Sequence, residues 1–187
     1  MIRNSIAILG AGNVGIALAR AWIARGESIV FGVPSPDKYR DAVAALGPSA
    51  TIGSTTSAIE GADIAVLATP YSAALDIVRS VADWGNRILV DATNPLAPGL
   101  AGLSVGTTTS GAEQIAAGAR GARVVKAFNT TGAENMADSG YPGGAAFMPV
   151  CGDLKSARYL EPFAMTWIHM AIKLGLGRNF AFARMKR

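Results

Sequence analysis

The sequence predicts an α/β protein built on a doubly wound, mostly parallel sheet with a C-terminal helix. Three observations predict it. Short apolar runs rich in β-branched residues alternate with alanine-rich segments of helical length. The runs are apolar at successive positions, so both faces of the sheet are expected to be covered. A glycine-rich turn stands between the first run and the first helical segment.

In chain order, Ser5 to Leu9 reads as the first strand and Val14 to Arg25 as the helix that follows it. Ser28 to Gly32 is the second strand, Pro36 to Leu46 a helix, and Ala50 to Gly53 a short strand. Asp63 to Ala68 and Arg87 to Asp91 are strands, with the helix Tyr71 to Ala82 between them. Gly111 to Gly118 is a helix, Arg123 to Phe128 a strand, and a helix is expected from Thr131 and a strand at Ala145 to Val150. Gly26, Gly47 and Gly85 stand where helices stop. Ser156 to Leu174 reads as one long amphipathic helix ended by Gly175-Leu176-Gly177. The resulting division is a dinucleotide-binding domain at residues 1–153 and a C-terminal helical segment at 154–187, packed on the sheet or on a dimer partner.

A chain of 187 residues suits one compact domain, and 50% hydrophobic with 16% charged residues excludes a disordered one. The mean hydropathy of +0.31 raises the question of a membrane. No run approaches the ~18 apolar residues a spanning helix needs, and the apolar run after Arg3 lasts only from Ile6 to Leu9. One cysteine, Cys151, allows no internal disulfide, so a cytoplasmic protein is expected, and Cys151 itself reads as a small buried hydrophobe at a strand end. No metal site is expected. The net charge of +4 belongs to the tail: Lys155, Arg158, Lys173, Arg178, Arg184, Lys186 and Arg187 outnumber Asp153 and Glu161. These charges are spread along a helix and a chain end, a solvated face rather than a nucleic-acid patch.

Gly10-Ala11-Gly12-Asn13-Val14-Gly15 follows a predicted strand and opens a predicted helix, the context in which the pattern G-x-G-x-x-G signals a dinucleotide of the Rossmann type. Gly10 makes the tight turn, Gly12 lets a pyrophosphate approach the backbone, and Gly15 lets helix and strand close up. After the second strand no acidic residue stands ready for a ribose 2′-hydroxyl. The loop offers Ser35, Lys38 and Arg40 instead, groups able to meet a 2′-phosphate, with Asp37 of the opposite sign among them. NADP is therefore expected over NAD. Ala68, Thr69 and Pro70 end one strand, Asn94 follows another in Asp91-Ala92-Thr93-Asn94-Pro95-Leu96, and Ala127 and Asn129 follow a third. All lie at the carboxyl edge, where the nicotinamide half would rest. Thr69 and Asn94 can hydrogen-bond a ribose or carboxamide. The long loop from Thr93 to Ser110 is expected to be a mobile cover, and His169 a packed helix residue.

Four segments together carry a resemblance. They are Ile8-Leu9-Gly10-Ala11-Gly12-Asn13-Val14-Gly15, Val90-Asp91-Ala92-Thr93-Asn94-Pro95-Leu96, Val125-Lys126-Ala127-Phe128-Asn129-Thr130, and Arg158-Tyr159-Leu160-Glu161-Pro162 with Gly175-Leu176-Gly177-Arg178. With them the chain resembles the NADPH-dependent coenzyme F420 reductases and their bacterial relatives along nearly its whole length. The resemblance implies an NADP-binding Rossmann domain with a small C-terminal part, a homodimer, and hydride transfer between NADP(H) and a deazaflavin or flavin-like acceptor. Val33-Pro34 stands where the family has Ser/Thr-Arg, leaving Ser35 and Lys38 for the 2′-phosphate. Cys151-Gly152-Asp153 runs directly into Leu154, without the βα unit the family has there, so an interrupted chain is expected between Asp153 and Leu154.

Such a transfer needs two rings held face to face and no side-chain nucleophile. Thr69, Pro70, Asn94 and Asn129 are the candidates for placing the ring, and Pro95 to Gly106 for part of the acceptor pocket. A module that binds the dinucleotide without catalysis is the alternative from another class. A hydroxyacid or imine reductase ranks third, because those enzymes bring a large helical second domain. No membrane or nucleic-acid partner is expected.

Overall fold

The computed structural model describes residues 5–106, 108–136, 140–141, 144–145, 147–152 and 180–184. Strands β1 (Ile6–Leu9), β2 (Ile29–Gly32), β3 (Ala50–Gly53), β4 (Ile64–Leu67), β5 (Ile88–Asp91) and β6 (Arg123–Lys126) pair in parallel. Gly140–Tyr141 (β7) and Gly144–Ala145 (β8) form a separate antiparallel pair. Phe147–Gly152 (β9) runs antiparallel to β6, and Phe180–Arg184 (β10) antiparallel to β9. The eight strands of the main sheet lie in the order β10-β9-β6-β5-β4-β1-β2-β3. From β1 the chain winds outward through β2 and β3, then returns to the other side of β1 for β4, β5 and β6. The reversal falls between β1 and β4, where open α/β sheets bind ligands.

Helices α1 (Asn13–Ile23), α2 (Arg40–Ala44), α3 (Thr55–Glu60), α4 (Tyr71–Ser80) and α5 (Gly111–Gly118) cover the two faces. Alternate residues of each strand feed two cores. Ile6, Ile8, Phe31, Val66 and Val90 pack with Leu18 and Trp22 of α1, while Ala7, Leu9, Leu67 and Leu89 pack with Ala58, Ala74, Val78 and Ile115. β1, β4 and β5 are buried at every position, which is why they are apolar throughout.

Several expectations need correction. Helix α3 carries no helical signal in Thr55-Thr56-Ser57; it is held by the Ser54 cap, whose hydroxyl accepts from the Ser57 amide at 3.1 Å, and by packing on β2. Its close approach needs Gly32, where a Cβ would come within 2.9 Å of Ala58 Cβ. The single helix expected over Pro36 to Leu46 is a 3-10 turn (Pro36–Tyr39) and then α2, because Tyr39 leaves helical geometry at φ −115°, ψ 2°. The helix expected from Thr131 is one 3-10 turn, Ala133–Asn135, preceded by extended Gly132. The strand expected at Ala145 to Val150 is β9, Phe147–Gly152, with Ala145 in the separate β8, so Cys151 lies inside β9 and is half-buried rather than buried.

The long loop is folded on itself. Leu96 and Leu103 bridge, the Ala97 amide donates to the Gly102 carbonyl at 2.9 Å, and the Ser104 amide and hydroxyl both donate to the Pro95 carbonyl. The helix read at Ser156 to Leu174, His169 and the junction of Asp153 with Leu154 lie outside the described residues. Among the described residues no helix is long and apolar enough to cross a membrane.

Candidate cofactor site at the carboxyl edge

The strands stop in a row of small residues. The backbone ladder continues one step beyond them: Gly10 donates to the Gly32 carbonyl at 3.1 Å, Ala68 to Leu9 at 2.9 Å, Ala92 to Leu67 and Ala127 to Asp91 both at 3.1 Å. Gly10, Ala68, Ala92 and Ala127 therefore stand side by side above β1, β4, β5 and β6, and the chain turns away after each.

Each fingerprint glycine meets a different demand. Gly10 has φ +114°, and a Cβ there would lie 2.5 Å from the Ala68 carbonyl oxygen and 2.9 Å from Thr69 Cγ2. At Gly15 a Cβ would lie 2.1 Å from the Gly10 carbonyl oxygen, so α1 can rise off β1 only with glycine there. At Gly12 a Cβ would meet nothing within 4 Å. Gly12 caps α1 with no side-chain hydrogen bond, and no acidic residue lies in the first turn. Ala11 is buried beneath the turn, Asn13 is exposed beside it and Val14 is half-buried. The mouth of α1 thus offers backbone N–H groups and a positive dipole end to open space.

Beside Gly10, the Thr69 hydroxyl is buried without a hydrogen-bond partner among the described residues. Buried hydroxyls are almost always satisfied, so a bound group or ordered water belongs here. Pro70 caps α4 at φ −52°, turning the chain sharply beside Thr69. The open cradle at Gly12, the uncapped helix end and this hydroxyl fit a dinucleotide.

On the far side of Gly32, Ser35 caps the 3-10 turn without using its hydroxyl. The Lys38 ammonium sits 5.3 Å from the Tyr39 ring centroid. Arg40 pairs with Asp37, and this carboxylate holds the guanidinium above its ordinary pKa. Arg40 thus balances the charge of Asp37, and among the described residues Lys38 is the cation of this turn with no ion pair. Ser35 and Lys38 meet each other through the Lys38 amide and Ser35 carbonyl at 3.2 Å.

Asn94 and Asn129 come together. Asn94 Nδ2 donates to the Asn129 carbonyl at 3.0 Å, and Asn129 Nδ2 to Asn94 Oδ1 at 3.3 Å. Beneath them lies a group that the sequence reading quoted but left without a role. Asp91, wholly buried, pairs with Lys126 at 3.0 Å. Burial lowers the Lys126 ammonium below its ordinary value against the opposing pull of Asp91, and raises the Cys151 thiol next to it in register. A charged last residue on two neighbouring apolar strands was the available signal. A groove of about 650 Å³ between α3 and α4, lined by Thr55, Ile59, Asp76, Ser80 and Arg87 among others, touches none of these residues.

The fold and this edge are those of a Rossmann-type dinucleotide-binding domain. Residues 5–95 match the family model described as NADP oxidoreductase, coenzyme F420-dependent. The F420-dependent NADP reductase of Methanothermobacter thermautotrophicus is 28% identical over 156 residues, 76% of this chain and 67% of that protein. Among solved structures, a Sinorhizobium meliloti protein of unassigned function superposes with a TM-score of 0.79 at 29% identity, over 87% of this chain and 80% of its own. A protein of Arthrobacter sp. FB24 provisionally assigned as an F420-dependent NADP reductase gives 0.68 at 27%, over 85% and 78%. Through residues 5–95 the chain is thus similar to the coenzyme F420-dependent NADP oxidoreductases.

Proposed function

We propose that the chain binds NADP(H) across the β1–β4 crevice and moves a hydride between its nicotinamide and a planar acceptor of the deazaflavin or flavin class. The observation that carries this is the open cradle at Gly12 together with the buried Thr69 hydroxyl beside Gly10, which has no hydrogen-bond partner among the described residues. The N–H groups of the Gly12 turn hold the pyrophosphate, and Thr69 satisfies its hydroxyl on the nucleotide. Lys38, with Ser35, meets the 2′-phosphate. The chemistry supplied by the bound nicotinamide is two-electron hydride exchange at C4. The chain's part is to seat one ring on the edge formed by Thr69, Pro70, Asn94, Ala127 and Asn129 and to leave a second ring an apolar approach. That approach is the loop carrying Leu96 and Leu103, which are 47% and 66% exposed.

In the same proposal residues 1–153 form the nucleotide-binding domain of a cytoplasmic homodimer, and of the 154–187 segment, expected to be helical, Phe180–Arg184 is instead an edge strand of that domain's sheet. The test is a fluorescence titration with NADPH and NADH, followed by F420 or FMN in the same cuvette. Tighter binding of NADPH and its oxidation on adding F420 are expected. Binding without oxidation by either acceptor would make the chain a nucleotide-binding module, and absence of binding would end the proposal.

A further inference from the structure

Two costly features of this fold converge on one pair of side-chain amides. The first is the buried ion pair. Asp91 closes β5 and Lys126 closes β6, opposite each other in register. The Asp91 carboxylate is wholly buried and accepts from the Thr93 amide at 2.9 Å, the Thr93 hydroxyl at 2.7 Å and Lys126 Nζ at 3.0 Å. Lys126 Nζ also donates to the Thr93 carbonyl. The amide, hydroxyl and carbonyl of Thr93 are therefore all held by these two charges. A buried ion pair is a poor way to stabilise a core, since apolar residues of similar volume commonly do as well or better.

The second feature is Phe128, a bulky residue at φ +62°, where side chains other than glycine are strained. Its ring is buried, edge-on to Trp22 at 6.0 Å, and its amide donates to Met148 Sδ at 3.2 Å. The strained turn sends the next residue out of the core. That residue is Asn129, and the residue after the clamped Thr93 is Asn94. The two amides then clasp each other across the ends of β5 and β6. The clasp uses Asn94 Oδ1 and one N–H of each amide, so that among the described residues Asn129 Oδ1 and the second N–H of each side chain are left for a ligand.

We infer that the Asp91–Lys126 pair, acting through Thr93, is a positioning device that holds the Asn94–Asn129 clasp as a fixed donor and acceptor set for the nicotinamide carboxamide. The inference rests on the proposed NADP(H) reading and assigns its nicotinamide end. Asp91 and Lys126 touch no nucleotide themselves. Strain and buried charge persist where the surroundings over-determine a geometry, and here both fix the direction of the same two side chains.

The test compares two ligands on each folded variant: NADPH, and 2′-phospho-ADP-ribose, which has the same adenine, phosphates and ribose but no nicotinamide. The variant is Asp91→Asn with Lys126→Met, which removes both charges and keeps an acceptor for Thr93. Thermal unfolding confirms its fold, and native protein is run beside it. Expected is a rise of about tenfold in Kd for NADPH, the worth of one ordinary hydrogen bond, with Kd for 2′-phospho-ADP-ribose within twofold of native. Lys126→Arg, which keeps a cation able to reach both Asp91 and the Thr93 carbonyl, should restore most of the difference. If the double variant does not fold, Thr93→Val, which removes only the hydroxyl bond to Asp91, should show the same selective loss at about threefold. Equal losses for both ligands, or no loss for either, would overturn the inference and leave the nucleotide reading standing. Failure of the native chain to bind NADPH would overturn both.

Discussion

Gly12 and Gly15 are both glycines at the mouth of α1, and the structure predicts opposite consequences for the same substitution. At Gly15 an alanine Cβ would stand 2.1 Å from the Gly10 carbonyl oxygen, a backbone atom with no rotamer to yield. Relief requires α1 to lift from β1, so the cost should reach about 3 kcal/mol, the upper part of what overpacking produces. For a domain of this size that lowers Tm by roughly 6–12 °C. At Gly12 the same methyl meets nothing within 4 Å, and φ is −83°, which alanine adopts freely. Alanine caps a helix less well than glycine but restricts the unfolded chain, and the two effects offset to within about 1 kcal/mol. The methyl nevertheless occupies the space assigned to the pyrophosphate. Losing one charge-assisted hydrogen bond there costs about 2 kcal/mol, or about thirtyfold in Kd. Differential scanning fluorimetry and an NADPH titration on Gly12→Ala and Gly15→Ala decide the matter. A Gly12→Ala protein that keeps native affinity would refute the assignment of the cradle.

Three other outcomes are expected. Lys38→Ala should weaken NADPH about fivefold and leave NADH unchanged, while Arg40→Ala, which unmasks Asp37, should shift the same ratio by less; equal effects on both nucleotides would remove this turn from the 2′-phosphate site. Asp63 is held below the ordinary carboxylate pKa by the Ser5 amide and hydroxyl, at 2.9 and 3.0 Å. Its contribution is therefore complete above the unfolded pKa near ~4 and fades as pH falls through the lower folded value. Asp63→Asn should lower Tm at pH 7 and flatten its decline between about pH 4 and 2, and Tm curves parallel to native would contradict the linkage. Leu96→Ser with Leu103→Ser should raise KM for F420 several-fold while Kd for NADPH holds; an unchanged KM would remove the loop from the acceptor approach.

How much of this was readable beforehand depends on whether a residue's role is local. The fingerprint was legible because each glycine answers to a neighbour fixed by the turn itself: Gly10 by its positive φ, Gly15 by the carbonyl of Gly10. The strand ends were legible because a strand buried on both faces must be apolar until it leaves the core. Helix α3 was not, since Thr55, Thr56 and Ser57 are weak helix formers and what holds Ala58 and Ile59 in place is the missing side chain of Gly32. The Asn94–Asn129 clasp was half legible. Both residues could be placed at the carboxyl edge, but their contact, and the Asp91–Lys126 pair below it, follow from β5 and β6 being neighbours in register.

That register also explains why this edge of the sheet holds charges at all. A lone aspartate ending a fully buried strand would have to be neutralised or expelled. Parallel pairing places Lys126 opposite it, and Thr93 folds back over both, so the charges end beneath the surface while two neutral amides face outward. The edge then presents Thr69, Asn94 and Asn129, the groups proposed to hold a ring, whose hydroxyl and amides can hydrogen-bond without exchanging protons near neutral pH. Hydride exchange between two rings asks the protein for alignment and the exclusion of water. In the proposed reaction, an edge made of small residues and amides, with the ion pair beneath it kept from the reacting atoms, would supply the alignment without adding an acid or base of its own.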